Sequence, residues 1–382
     1  MKPWPTVRLG EVLIEHDSSI PVSELAEVNL AGVYSFARGL FKRGPMLPGD
    51  TSYKSYNRLA TDDFVISVPK AWEGALARVT PEFEGWFLSP VFPTFRANLM
   101  RLDPVFLEWF CKRESVWTQL QGKSRGIGAR RESVHPDQFL SLEIPLPPLA
   151  EQRRVVARIE ELAAQIREAR TLRHQAAEEA DVLLRSILTQ DEQAKPTPMR
   201  ELVKLRLPDV NVRADETYQF AGVYCFGRGV FKSVRKSGMD FAYPRLTRLR
   251  AGEFVYPKLM AWEGALGVVP PDCDGCVVST EFPVFEVNQN RVLPEVLDIY
   301  FRTPSVWPEI AGESTGTNIR RRRLNPQDFL DYEMPLPSMD TQMTLRKVRA
   351  EVDALKRLQA ETAAELDALL PAILDRAFKG EL

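Results

Sequence analysis

The sequence predicts an α+β protein built twice: two α+β domains in tandem, each followed by a long helix. Three observations predict this. A shift of 190 residues lays the 382-residue chain on itself, so one unit accounts for nearly all of it. The first part of each unit, about 145 residues, mixes short apolar runs with turn signals. The second part carries apolar residues in steps of three and four, the period of a helix.

The repeat is explicit. Residues 31–42 read AGVYSFARGLFK and residues 221–232 read AGVYCFGRGVFK, with nine of twelve positions identical. Residues 71–79 (AWEGALARV) and 261–269 (AWEGALGVV) share seven of nine. At the same offset Ser89, Phe92, Pro93 and Phe95 fall on Ser279, Phe282, Pro283 and Phe285, and Ser115-Val116-Trp117 on Ser305-Val306-Trp307. The resulting segments are a first domain at 1–147, a helix at 148–195, a second domain at 196–337 and a helix at 338–382.

In chain order, Phe64–Val68 and Glu253–Tyr256 read as strands, as do Gly85–Leu88 and Gly275–Val278, each after an acidic-Gly turn. Asp103-Pro104 is a helix start, and Leu107, Phe110, Cys111, Trp117 and Leu120 follow at helical spacing. PLPP (Pro145 to Pro148) and PLPS (Pro335 to Ser338) end the globular patterns. Beyond them Val155, Ile159, Leu162 and Ile166 form one apolar seam, and Leu345, Val348, Val352, Leu355, Leu366, Leu369 and Ile373 form a cleaner heptad seam. Each helix has two options: to cover its own domain, or to pair with the other. Forty residues of helix span about 60 Å, more than one such domain needs, which favours pairing.

Composition excludes several classes. Lys+Arg is 50 against 52 Asp+Glu, a net charge of −2, which argues against a uniformly basic coat but leaves room for local patches. No apolar window is long enough to span a membrane, and the first ten residues lack a signal-peptide core. Four cysteines are too few for a disulfide scaffold, so a cytoplasmic location is expected. Three histidines (His16, His135, His174) have no counterpart in the other copy, so no metal site is expected. Cys273 and Cys276 form one CxxC without a second pair, and Phe83 and Trp86 stand there in the first copy; a turn with apolar flanks is favoured over zinc. The sequence holds no phosphate-loop, amino-methyltransferase or D/E-x-K nuclease motif, and no catalytic residue is assigned.

Charge is segregated. Residues 31–60 carry Arg38, Lys42, Arg43, Lys54 and Arg58 against Asp50, a local +4. Residues 221–250 carry Arg228, Lys232, Arg235, Lys236, Arg245, Arg248 and Arg250 against Asp240, a local +6. Late in each domain come SRGIGARRE, with Arg125, Arg130 and Arg131, and STGTNIRRRR, with Arg320, Arg321, Arg322 and Arg323. Small residues let a backbone approach a phosphate, and arginines neutralise charge or enter a groove. A single basic run is usually only a solvated surface, but recurrence at matching positions in both copies favours DNA contact. Residues identical in both copies cannot make two domains read different bases. Base reading is therefore expected where the copies diverge: Arg43, Lys54, Ser55 and Asn57 against Ser233, Pro244, Arg245 and Thr247. Trp72 and Trp262 could stack on DNA, although a packed aromatic in a strand–turn is favoured. Glu73 and Glu263 could orient an arginine or cap the turn.

IPLPPLAEQRRVVARIEEL (Ile144 to Leu162) resembles the central conserved region of type I restriction–modification specificity subunits, and LLPAILDRAFKGEL (Leu369 to Leu382) resembles the end of their distal conserved region. The alternation of domain and helix covers the whole chain in the same order. The second helix departs from the pattern, with MPLPSMDTQMTLRKV in place of the usual segment. The resemblance implies two target recognition domains separated by two long antiparallel coiled-coil helices, with internal pseudo-two-fold symmetry. It implies a non-catalytic subunit in which each domain reads half of a bipartite site in double-stranded DNA. It further implies two methyltransferase subunits docked on the helices, S-adenosylmethionine bound by those subunits and not by this chain, and a restriction–translocase subunit. The rival readings are a stand-alone DNA-binding regulator with a coiled-coil spacer and an enzyme whose motif has drifted.

Overall fold

The computed structural model describes residues 4–121, 133–312 and 323–382. Two compact units divide the chain, Met1–Thr171 with Thr362–Leu382, and Leu172–Glu361. The 190-residue offset maps one division onto the other: residues 191–361 correspond to 1–171, and 362–382 to 172–192. Each unit therefore holds a globular domain, the first half of the helix that follows it, and the second half of the helix from the other copy.

In the first unit a four-stranded antiparallel sheet runs in the order Leu13–His16, Thr94–Ala97, Phe64–Ile66, Leu76–Arg78. A five-stranded sheet follows the order Ser19–Pro21, Ser55–Arg58, Phe87–Leu88, Val28–Val33, Leu40–Met46, with one parallel pairing, Leu30 opposite Phe87. Thr6–Arg8 pairs with Glu143–Pro145 and closes the domain on its own beginning. In the second unit the same two sheets recur: Val203–Leu205, Val284–Val287, Phe254–Val255, Gly267–Val268, and Val210–Asn211, Arg245–Arg248, Val277–Val278, Thr217–Tyr224, Gly229–Ser237. Its closing pair is Lys195–Pro198 with Glu333–Leu336.

The cores match as well. Phe64 stacks on Phe139 with centroids 5.6 Å apart, and Phe254 on Phe329 at 5.3 Å. Asp103 caps the helix Pro104–Cys111 by accepting from the Val105 N–H at 2.9 Å. That helix stops sooner than its sequence period suggests. Arg113 adopts extended backbone, and Trp117 and Leu120 lie on the separate turns Glu114–Trp117 and Thr118–Leu120. The break lets Trp117 lie over Gly74, where a Cβ would stand 2.9 Å from the indole. The strand expected to reach Val68 ends at Ile66, because the Ser67 carbonyl accepts from the N–H groups of Lys70 and Ala71 to begin a turn.

The central helix spans Leu149–Thr189, 41 residues or about 60 Å. The distal helix is two pieces, Met339–Glu361 and Ala363–Phe378, interrupted at Thr362. Within each unit the helical segments run antiparallel. In the first, Arg154 donates to the Leu382 carbonyl at 2.6 Å and Arg170 to Asp367 at 2.8 Å. In the second, Lys356 donates to Asp181 at 2.8 Å and Ser338 to Asp191 at 2.8 Å.

The expected seams are only partly occupied. Val155, Ile159, Ile166, Leu345 and Val352 are buried, while Leu162, Val348, Leu366 and Ile373 are half-buried. Leu355 and Leu369 correct the heptad reading: they remain 42% and 45% exposed. The reason is where the apolar ends go. Val155, Ile159 and Ala163 join Leu374, Ala377 and Phe378 in the core of the first domain, and Leu345 and Val352 join Leu184 and Leu188 in that of the second. Covering a domain and pairing of helices, posed as alternatives by the sequence, occur together.

A buried glutamine fastens each helix to its domain. Gln152 accepts from the Asp103 N–H and donates to the carbonyls of Arg101 and Pro147, all at 2.8 Å. Gln342 repeats this with Leu293 N–H at 2.9 Å, Arg291 carbonyl at 3.1 Å and Pro337 carbonyl at 3.0 Å. One carboxamide thus satisfies three main-chain groups that would otherwise be buried without partners.

Candidate nucleic-acid interface

The strongest repeat signal, AGVYSFARGLFK and its copy, forms the hairpin at the edge of the five-stranded sheet. Val28–Val33 pairs with Leu40–Met46, and Thr217–Tyr224 with Gly229–Ser237. Both hairpins carry a bulge, between Leu30 and Ala31 and between Gln219 and Ala221. Bulges twist an edge strand and re-aim its side chains.

The hairpin tip is tied to the other shared motif, WEGAL. Phe36 N–H donates to the Glu73 carbonyl at 2.8 Å and Ala37 N–H to the Gly74 carbonyl at 2.7 Å. The second copy repeats this with Phe226 to Glu263 at 2.8 Å and Gly227 to Gly264 at 3.0 Å. The Glu73 carboxylate accepts from Ser35 Oγ at 3.3 Å, and the Glu263 carboxylate from Cys225 Sγ at 3.4 Å. These glutamates therefore brace the tip. Trp72 and Trp262 are half-buried, each indole N–H donating to a main-chain carbonyl of its own turn (Pro69 at 3.1 Å, Leu259 at 2.8 Å). Trp72 packs against the apolar core of its domain.

The basic residues spread over this sheet. Arg38 and Arg228 are exposed beside the tips, over the rings of Tyr34 (4.9 Å) and Tyr224 (4.7 Å). Neither makes an ion pair among the described residues, and each spends one N–H on a main-chain carbonyl, Ser35 or Cys225. Lys42 and Arg43 are exposed on the first edge strand, Lys42 at 4.0 Å from Glu82 and over Trp86 at 5.5 Å. Lys232, Arg235 and Lys236 are exposed on the second. Lys54 precedes the strand Ser55–Arg58 and Arg58 ends it, and Arg245 and Arg248 begin and end its counterpart, all exposed; Arg250 lies exposed just beyond. Arg323 is held by Glu281 and so is partly neutralised. Arg125, Arg130, Arg131, Arg320, Arg321 and Arg322 lie outside the described residues.

The second sheet also forms a polar hollow of about 430 Å³ that includes Gln219, Arg235, Arg248 and Gly275. Gln219 faces Arg235 across the hairpin, and the matching first-copy pair is Asn29 and Pro45. Gln219 escaped the sequence reading, because only strand register reveals it as Arg235's neighbour. Cys273 and Cys276 are buried in an apolar cluster, and burial pushes the Cys273 thiol up to about 11. Among the described residues no group of His, Cys, Asp and Glu could hold a metal ion, and no helix is long and apolar enough to cross a membrane.

Two tandem sheet-and-helix domains, each built on a shared helix pair and each carrying a basic edge hairpin, define the architecture. Solved structures share it. The chain is similar to the HsdS subunit from Thermoanaerobacter tengcongensis, with 24% identity and a TM-score of 0.61 over 100% of this chain and 98% of that one. It is also similar to a chain from a study of complex assembly and conformational transition in the type I R-M system, with 22% identity and a TM-score of 0.71 over 100% and 99%. At these identities the likeness establishes a common fold. No protein-family model matches the chain, and no curated protein matches it.

Proposed function

We propose that the chain is the specificity subunit of a type I restriction–modification system. It is a non-catalytic subunit that reads double-stranded DNA through its two domains, one half-site each. The observation that carries this reading is the recurrence of exposed, largely unneutralised cations on the five-stranded sheets of both repeats, within the HsdS fold. Methylation and cleavage belong to partners: two methyltransferase subunits, which bind S-adenosylmethionine, and a restriction–translocase subunit. Exposed apolar residues on the helices, such as Leu172, Val182, Leu183, Leu355 and Leu358, suit a helical partner.

Residues shared by the copies position the DNA, and divergent ones read it. Arg228→Ala should weaken binding to all sequences and lower the salt dependence, by about one phosphate's share. Arg245→Ala should relax one position of one half-site, by about 1–3 kcal/mol of discrimination. Selection of duplexes from a randomised pool measures both, and the reverse pattern defeats the assignment. Mapping methylated adenines with and without the gene tests the whole reading. Specific, tight DNA binding with no methyltransferase co-purifying would favour a stand-alone regulator instead.

A further inference from the structure

Among the described residues, four that are not glycine have positive φ, and two of these are one position seen twice: Phe36 and Phe226, each at 62°. The left-handed region suits glycine and strains a bulky residue. Burial of the side chain is the ordinary compensation, but these rings remain 62% and 65% exposed. Each meets one tryptophan obliquely, Phe36 with Trp117 at 6.1 Å and Phe226 with Trp307 at 6.4 Å between centroids. The turn is nevertheless over-determined. The two main-chain bonds to WEGAL, the side-chain bond to its glutamate and the arginine bond across the turn occur in both copies. Part of the return lies inside the fold, since Arg38 lies over the Phe36 ring at 5.9 Å and Phe36 borders a groove with Trp72, Trp117 and Ile166. Most of each ring nevertheless stays exposed in both copies, and a strained position with an exposed ring points to a contact outside the fold.

The neighbourhood indicates what is contacted. Two residues before and two after each phenylalanine stand an exposed tyrosine, Tyr34 or Tyr224, packed on Phe41 or Phe231, and an arginine, Arg38 or Arg228, that lies over that tyrosine and makes no ion pair among the described residues. A guanidinium with free donors suits a phosphate, and a ring face stacks on any base. Identity between the copies also suits a contact that does not discriminate sequence.

We propose that Phe36 and Phe226 are paired wedges: each ring enters one base step of the DNA, one per half-site, while Arg38 or Arg228 holds the phosphate beside it. This rests on the DNA-reading function proposed above. The energetic logic is that of apolar side chains that unstack a step and let the duplex follow the protein surface.

The test uses the full-length chain, alone and with any methyltransferase subunit that co-purifies, on the duplex that wild type selects from a randomised pool. 2-Aminopurine placed along the site should brighten at one step per half when wild type binds, and at neither with F36A/F226A. Affinity should fall about tenfold for each single variant and about a hundredfold for the pair. An abasic site at the affected step should strengthen wild-type binding and leave the double variant unchanged. F36G/F226G should keep or raise the thermal midpoint while losing affinity, because glycine relieves the backbone and little packing is lost. The wedge is overturned if the double variant binds within about twofold of wild type, or if the glycine variant loses thermal stability in step with affinity. It is also overturned if DNA binding is unchanged and only the co-purifying subunit is lost. A wild-type chain that selects no sequence in either form removes the DNA-reading function itself, which separates that failure from failure of the wedge.

Discussion

The first and second domains are alike in the anchors that hold their shape and at the exposed hairpin tips, and unlike along other exposed rungs of the sheets behind those tips. The hairpin tips use the same anchors on the same motif, and the buried glutamines make the same three bonds. The sheets behind the tips differ. Gln219 and Arg235 oppose each other across the second hairpin, whereas the first offers Asn29 and Pro45; the local charge is +6 against +4. Duplication preserved a scaffold whose parts depend on one another and let the exposed rungs vary. Under the proposed DNA-reading function, the unlike positions are where two half-sites would be told apart.

The largest effect should come from breaking a shared element. Gln152→Leu strands a buried N–H and two carbonyls, and should cost about 4 kcal/mol in the first unit. Gln342→Leu should cost about 3 kcal/mol in the second, where the bonds are longer. Hydrogen exchange resolved by unit measures each, and a cost from only one of the two variants would break the equivalence. Next comes the motif glycine. Gly264 has φ 79° and a Cβ there would lie 2.4 Å from the Trp307 ring; for Gly74 the values are 76° and 2.9 Å. Gly264→Ala should therefore cost about 3 kcal/mol and Gly74→Ala about 2 kcal/mol by denaturant unfolding.

The smallest effect lies where the copies part. Ser338 replaces Pro148, and its N–H and hydroxyl, with the Gln193 N–H, bind the Asp191 carboxylate. The Thr341 hydroxyl, followed by the Ser338 and Gln193 N–H groups, holds Asp191 down to about 2. A depressed carboxylate stabilises the folded state above its ordinary range and stops doing so as pH falls through its folded value. Asp191→Asn should thus lower the thermal midpoint at neutral pH, with the gap closing between about pH 4 and about pH 2. A gap independent of pH would show that the bonds matter without the charge.

Much of the candidate site was legible before the fold. Repeats located both hairpins, and charge counting located their cations, because exposed basic residues need no partner to be recognised. Gln219 and the role of Glu73 were not legible. The first depends on register across a bulge, and the second on a turn meeting a loop 38 residues away.

By itself the sequence determined the duplication, the α+β alternation, the helix starts and the basic surfaces, since these follow from local spacing and residue chemistry. Only the tertiary structure decided that each domain takes half of the other copy's helix, that the distal helix is interrupted at Thr362, and that a phenylalanine stands exposed on a left-handed turn. Those outcomes rest on contacts between residues far apart in the chain. Phe378 packs on Phe106 and Phe110, and Trp117 covers Gly74, and no local pattern encodes either meeting.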